Sequence, residues 1–118
     1  MTKFPSYSFG TKFSLSSGEE ITAQEIYLVE SNDADLYRQM VEPTIKNYAK
    51  KKIAGTYDAE KAVQGIQNNL VREALRRYKK EQGDIGKVNA DTKRRIAELW
   101  FSQIDEAAND EVEQRLHK

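Results

Sequence analysis

The side chains of this chain best equipped for chemistry are its cations. Lys50, Lys51 and Lys52 stand together, Arg72, Arg76, Arg77, Lys79 and Lys80 form a second group, and Lys93, Arg94 and Arg95 a third. The whole chain balances 19 basic against 19 acidic residues, yet the balance is uneven along its length. Residues 1–45 hold three basic and seven acidic residues (net −4), 46–95 hold fourteen and six (net +8), and 96–118 hold two and six (net −4). A basic centre of this kind attracts phosphates or carboxylates and steers encounter with a charged partner. The competing use is internal, because cations in the last turn of a helix complement its dipole and a row of them beside an apolar stripe is an ordinary solvated face. A pI of about 6.6 argues against a general coater of nucleic acid.

Covalent chemistry has few candidates. The 118 residues include no cysteine, which removes disulfides, thiolate metal sites and cysteine nucleophiles. The single histidine, His117, stands beside the C-terminus, where a catalytic geometry is hard to hold. No glycine-rich phosphate loop or dinucleotide fingerprint occurs, and the acids sit where helix starts and solvated faces need them, as with Glu25, Asp58, Glu60 and Glu98. Ser31-Asn32-Asp33-Ala34-Asp35 imitates the opening of a calcium loop, but Leu36 stands where that loop needs glycine for its sharp turn. The expectation is therefore no catalytic residue, no cofactor and no metal site, in a protein that is not an enzyme.

These cations must be positioned by helices. Thr22 to Glu25 fits a capping box and predicts a first, short helix with Ile26 and Val29 on its apolar edge, widened by Tyr27 and Leu28. A second helix is predicted from about Asp33 to Ala54, on the stripe Leu36, Met40, Val41, Ile45 and Tyr48, closed by Gly55. Pro43 lies inside it and predicts a kink or restart near Val41-Glu42, because proline has no amide to give to the carbonyl of Gln39. Asp58 caps a third helix carrying Ala62, Val63, Ile66, Leu70, Val71, Ala74, Leu75 and Tyr78 to Gly83. Asn89 or Asp91 opens a fourth, with Ile96, Leu99, Trp100, Ile104, Ala108, Val112 and Leu116. The fold class is mainly α: a compact bundle of three long helices and one short helix over 22–116, in a single domain spanning 1–118. Antiparallel neighbours would put the ends of the second and third helices at opposite poles and split the basic residues. Trp100, four residues from both Ile96 and Ile104, is expected in the core.

Residues 1–18 read differently. Phe4, Tyr7, Phe9 and Phe13 are four of the eleven aromatic residues (four Phe, six Tyr, one Trp). Alternation from Tyr7 to Leu15 predicts an extended aromatic arm, with a short β segment as an option and Ser16-Ser17-Gly18 as the turn that ends it. Such an arm either covers an open side of its own bundle or anchors on another chain. The N-terminus has no signal-peptide core and the chain no long apolar run, so no membrane partner is expected and the cytoplasm is the expected compartment.

Glu25-Ile26-Tyr27-Leu28, Ser31-Asn32, Leu36-Tyr37, Val41-Glu42-Pro43, Lys46-Asn47, Lys50-Lys51-Lys52, Gly55-Thr56-Tyr57-Asp58 and Lys61-Ala62-Val63 resemble a group of small proteins encoded by tailed bacteriophages, over about residues 19–82. The resemblance implies a phage or prophage origin, a bacterial host cytoplasm and a role outside metabolic catalysis; it transfers no functional residue. Three functions are then in view. The first is stoichiometric binding of a host or phage protein, of the host-takeover or anti-defence kind that includes anti-CRISPR proteins. The second is nucleic-acid binding by a regulator or packaging accessory through Lys50 to Lys52 or Arg72 to Lys80, and the third a small virion or assembly protein. The candidate binding residues are Lys50, Lys51, Lys52, Arg72, Arg76, Arg77, Lys79 and Lys80, with Phe4, Tyr7, Phe9 and Phe13 of the arm.

Overall fold

A computed structural model describes residues 15–117. Phe4, Tyr7, Phe9, Phe13 and the arm's option of a β segment lie outside the described residues. Within them the chain forms four helices and no strand: α1 (Ser17–Ser31), α2 (34–54), α3 (59–82) and α4 (Ala90–Leu116). None is long and apolar enough to cross a membrane.

Helix α1 begins earlier than its sequence suggests. Both Ser16…Glu19 and Thr22…Glu25 have capping-box spacing, and the chain uses the first: Ser16 Oγ accepts from the Glu19 amide at 3.1 Å, while Glu19 Oε1 accepts from the Ser16 amide at 3.0 Å. Thr22 sits inside the helix, its hydroxyl donating to the Gly18 carbonyl at 2.9 Å. Ser17 and Gly18 are thus helical rather than the turn that ends an arm, and the helix, at 15 residues, is the shortest of the four. Its inner edge is also different. Ala23, Ile26 and Glu30 are buried and Tyr27 is half-buried, whereas Leu28 and Val29 face outward.

Asp33 caps α2, its carboxylate accepting from the amides of Asp35 and Leu36, so the calcium-like stretch is a helix start. Leu36, Val41, Ile45, Tyr48 and Ala49 enter the core, and Gly55, at φ 77°, closes the helix in the left-handed conformation. Around Pro43 the chain stays helical, and its α-winding restarts at Glu42, where the sequence places the kink or restart. Tyr37–Val41 winds as π-helix immediately before it, with the Glu42 amide reaching back five residues to Tyr37. A local change of hydrogen-bond register absorbs the missing proline amide, and the Thr44 hydroxyl satisfies the Met40 carbonyl at 2.6 Å. Helix α3 starts at its Asp58 cap and also holds a π segment, Ile66–Val71, which no proline explains.

Helix α4 is the centre of the bundle, touching each of the other three. Ile96, Trp100, Phe101, Ile104, Ala108 and Val112 are all at most 1% exposed, which confirms the tryptophan as core and also buries Phe101; Leu116 is outside. The Tyr27 and Trp100 rings pack nearly perpendicular, with centroids 5.2 Å apart. Contacts Glu19–Thr92, Glu20–Arg95 and Tyr27–Gln103 rise together along both helices, so α1 runs parallel to α4. Asp33–Arg77 and Tyr48–Ala62 run the opposite way, so α2 and α3 are antiparallel.

Candidate functional site

The fold separates the basic residues into three fates. Lys52 is internal: its side chain is 5% exposed and its ammonium donates to Asp105 Oδ1 and Asn109 Oδ1, with the Tyr57 ring 4.5 Å away and the Tyr57 hydroxyl also on Asp105. Arg77 is partly enclosed. Its guanidinium ties the end of α3 to the start of α2, donating to Asp33 and Asp35 at 3.2 Å and to Gln39 at 3.1 Å, with Glu73 on Nε. Asp33 is held below the usual carboxylate range by its hydrogen bond from the Leu36 amide and by Arg77. Neither Lys52 nor Arg77 is available to a partner. Lys50 and Lys51 are exposed near the end of α2, and Lys80 is exposed near the end of α3.

Arg72, Arg76 and Lys79 recur at steps of four and three, so they share one outward face of α3, with Leu75 beneath them. The connection to α4 returns across that face. Gly83 ends α3 at φ 90°, Gly86 adds a second positive φ of 81° with its amide on Asp84, and the chain then buries Val88. Lys87 thereby comes to line the same concavity as Lys79. Asn89 caps α4 by accepting from the Thr92 amide at 2.8 Å, and Lys93 stands in the first turn. The Asn89 amide donates in turn to Glu19, which joins this corner to the capping box of α1 and helps the Ser16 amide hold Glu19 below its ordinary pKa.

The result is a cleft of about 670 Å³ with Arg72, Arg76, Lys79, Lys87 and Lys93 on its walls, Leu75 and Val88 in its floor, and Gln67 and Asn68 at one end. No carboxylate lines it. Arg76 is oriented by Glu73, which takes its Nε at 2.6 Å and Nη2 at 3.0 Å, and that pairing lowers the Glu73 pKa. Among the described residues Arg72, Lys79, Lys87 and Lys93 form no ion pair. Arg94 and Arg95, next to Lys93 in sequence, turn away to Glu60 and Glu20 and flank the buried Glu98. The cleft thus takes three of the eight cations marked in the sequence, together with Lys93 and with Lys87. Lys87 carried no periodic signal because it lies in a loop; only the return of the 83–89 connection over α3 gives it neighbours.

An arrangement of this kind can neutralise and orient phosphates or carboxylates. His117 is exposed at the end of α4, and among the described residues no three His, Cys, Asp or Glu side chains cluster as a metal site. No protein-family model, curated protein or solved structure matches the chain.

Proposed function

We propose that this protein is a non-enzymatic binder of nucleic acid, holding a strand by its phosphates in the cleft between α3 and the 83–93 corner. The observation that supports this is the concentration of five cations, without a lining carboxylate, in a chain whose net charge is zero. Charge left unpaired while other cations of the same helix are consumed internally is free to be spent on a ligand. Phosphate contacts release counterions, so affinity falls steeply with salt. For four or five contacts to a single strand, the slope of log affinity against log salt is about −3. Fluorescence anisotropy with labelled single-stranded and duplex oligonucleotides at several ionic strengths tests it. Binding with that slope, weakened and flattened in the double variant Arg72→Gln/Lys79→Gln, supports the reading; no binding at low salt removes it.

Stoichiometric binding of a host or phage protein is a second reading, favoured by a separate observation. Ile21 and Leu28 on the outer side of α1 are 60% and 57% exposed, and their spacing of seven sets them on one face as apolar anchors. Both readings suit a phage accessory protein working in a bacterial cytoplasm, as the resemblance suggests. Pull-down from host lysate with Ile21→Lys/Leu28→Lys as the comparison tests the second: a specific partner lost in the variant supports it, and recovery of none argues against it.

A further inference from the structure

A second concavity, of about 300 Å³, lies between α2 and α3 on the side of Lys51 and Lys61. Both π segments border it. Met40 comes from the first, and Ile66, Asn69 and Leu70 from the second. The first segment has its reason in Pro43, the second has none in its own sequence, and π turns kept inside long helices recur where a helix serves a ligand.

Gly65 adds an independent observation. It is mid-helix at φ −63°, an ordinary helical value, and a Cβ built on it would meet only the Tyr48 hydroxyl, at 3.8 Å. Neither backbone conformation nor close packing calls for glycine there, although a mid-helix glycine weakens its helix relative to alanine. What it does is keep the wall of the groove open. Tyr48 is committed elsewhere, donating to the Ala62 carbonyl at 2.9 Å, and burial pushes its pKa up to about 12, so it lines the groove as a neutral phenol.

The charges at the mouth set the ligand. Lys51 and Lys61 are exposed on opposite walls, and among the described residues neither forms an ion pair. The one acid in the lining, Asp58, is turned to its capping role, accepting from the amides of Glu60 and Lys61. Asn47 adds a free side-chain amide, while Asn69 donates back to the Gly65 carbonyl. Beneath these polar groups lie Met40, Ile66 and Leu70.

We propose that this groove binds a small organic anion, its carboxylate or phosphate head between Lys51 and Lys61 and its apolar body over Met40 and Leu70. The site is separate from the cleft and does not depend on how the cleft is used. Hexanoate and hexyl phosphate share a tail and differ in head; hexylamine and hexanol keep the tail and remove the negative charge. Titrations of the full chain, followed by calorimetry and by amide chemical shifts, should show either anion binding at millimolar concentration with shifts centred on residues 47–51 and 61–70. Lys51→Gln/Lys61→Gln should weaken that binding by about tenfold or more, Gly65→Leu should abolish it by filling the groove, and Arg72→Gln/Lys79→Gln should leave it unchanged. The lysine pair lies on the surface and keeps the test valid if Gly65→Leu fails to fold. Stronger binding of hexanoate names a carboxylate ligand and stronger binding of hexyl phosphate a phosphate; both support the proposal. Equal binding of hexylamine or hexanol, shifts centred on the cleft, or no binding of either anion would overturn it.

Discussion

Lys52 and Lys79 are the same residue in similar sequence settings, each in a cationic run near the end of a helix, and the fold treats them in opposite ways. Lys52 is enclosed by Asp105, Asn109 and Tyr57, all from other elements. Lys79 faces a cleft with four more cations and no acid. The difference lies in what the far part of the chain brings alongside: the partners of Lys52 are 53 and 57 residues away in sequence. Burial turns a cation into structure when a carboxylate arrives with it, and a cation left outside is available for work.

The largest expected effect breaks the buried side of that comparison. Asp105→Ala leaves the Lys52 ammonium enclosed without its counter-charge, and we expect a loss of about 3 to 5 kcal/mol in chemical denaturation, against within about 0.5 kcal/mol for Lys79→Ala. The paired replacement Lys52→Met/Asp105→Leu should recover most of the loss, because an ion pair exchanged for apolar packing is often close to neutral. A small loss for Asp105→Ala would mean that Lys52 reaches water and that the two lysines differ less than their surroundings indicate.

Glu30 sharpens the comparison from the acidic side. It is 1% exposed, and unlike Asp105 neither of its carboxylate oxygens has a hydrogen-bond partner among the described residues. Burial, with Glu81 and Asp33 adding repulsion against the pull of Arg77, pushes its pKa up to about 7. In the unfolded chain the group ionises near its ordinary value of 4.5, so between those two values unfolding releases a proton and stability falls as pH rises. Above about pH 7 both states are ionised and the penalty is constant. We expect thermal melts of Glu30→Gln to lose this slope and to exceed the unmodified protein by about 3 kcal/mol at pH 8. Parallel pH profiles for the two proteins would show that Glu30 is already solvated.

Arg77 lies between the extremes. It is partly enclosed and multiply bonded, and Arg77→Gln removes the clasp between α3 and the start of α2, for an expected cost of about 1 to 3 kcal/mol. Amide exchange should quicken first in residues 33–39. The smallest effect on folding belongs to the cleft: Arg72→Gln/Lys79→Gln should melt within about 0.5 kcal/mol of the unmodified protein while the salt slope of oligonucleotide binding shrinks by about 1 to 2. Lost stability in that variant would make these two residues structural, like Lys52.

Much of the fold was legible because it is local. Asp33, Asp58 and Asn89 act as the helix caps their types predict, Gly55 and Gly83 close their helices, and the stripes of α3 and α4 are buried almost as their spacing requires. The start of α1 was not, since two capping boxes of equal quality lie six residues apart and only the first meets Asn89 and Thr92 of α4. Nor was its inner face, where Glu30 is buried and Leu28 exposed against their polarity, because α1 lies along one side of α4 and the packing direction decides which residues are covered.

The sequence by itself determined the three helices after α1, their caps, the tryptophan core and the exclusion of cysteine chemistry, because periodicity, capping and composition act within a few residues. Only the tertiary structure decided which cations are free. Lys50, Lys51 and Lys52 are adjacent, yet two are exposed and one is buried; Lys93 faces the cleft while Arg94 and Arg95 are taken by acids from α1, α3 and α4. Helical rotation of about 100° per residue sends neighbours in sequence to different faces. What waits on each face, a carboxylate from 34 to 75 residues away or open solvent, is set by how the four helices cross.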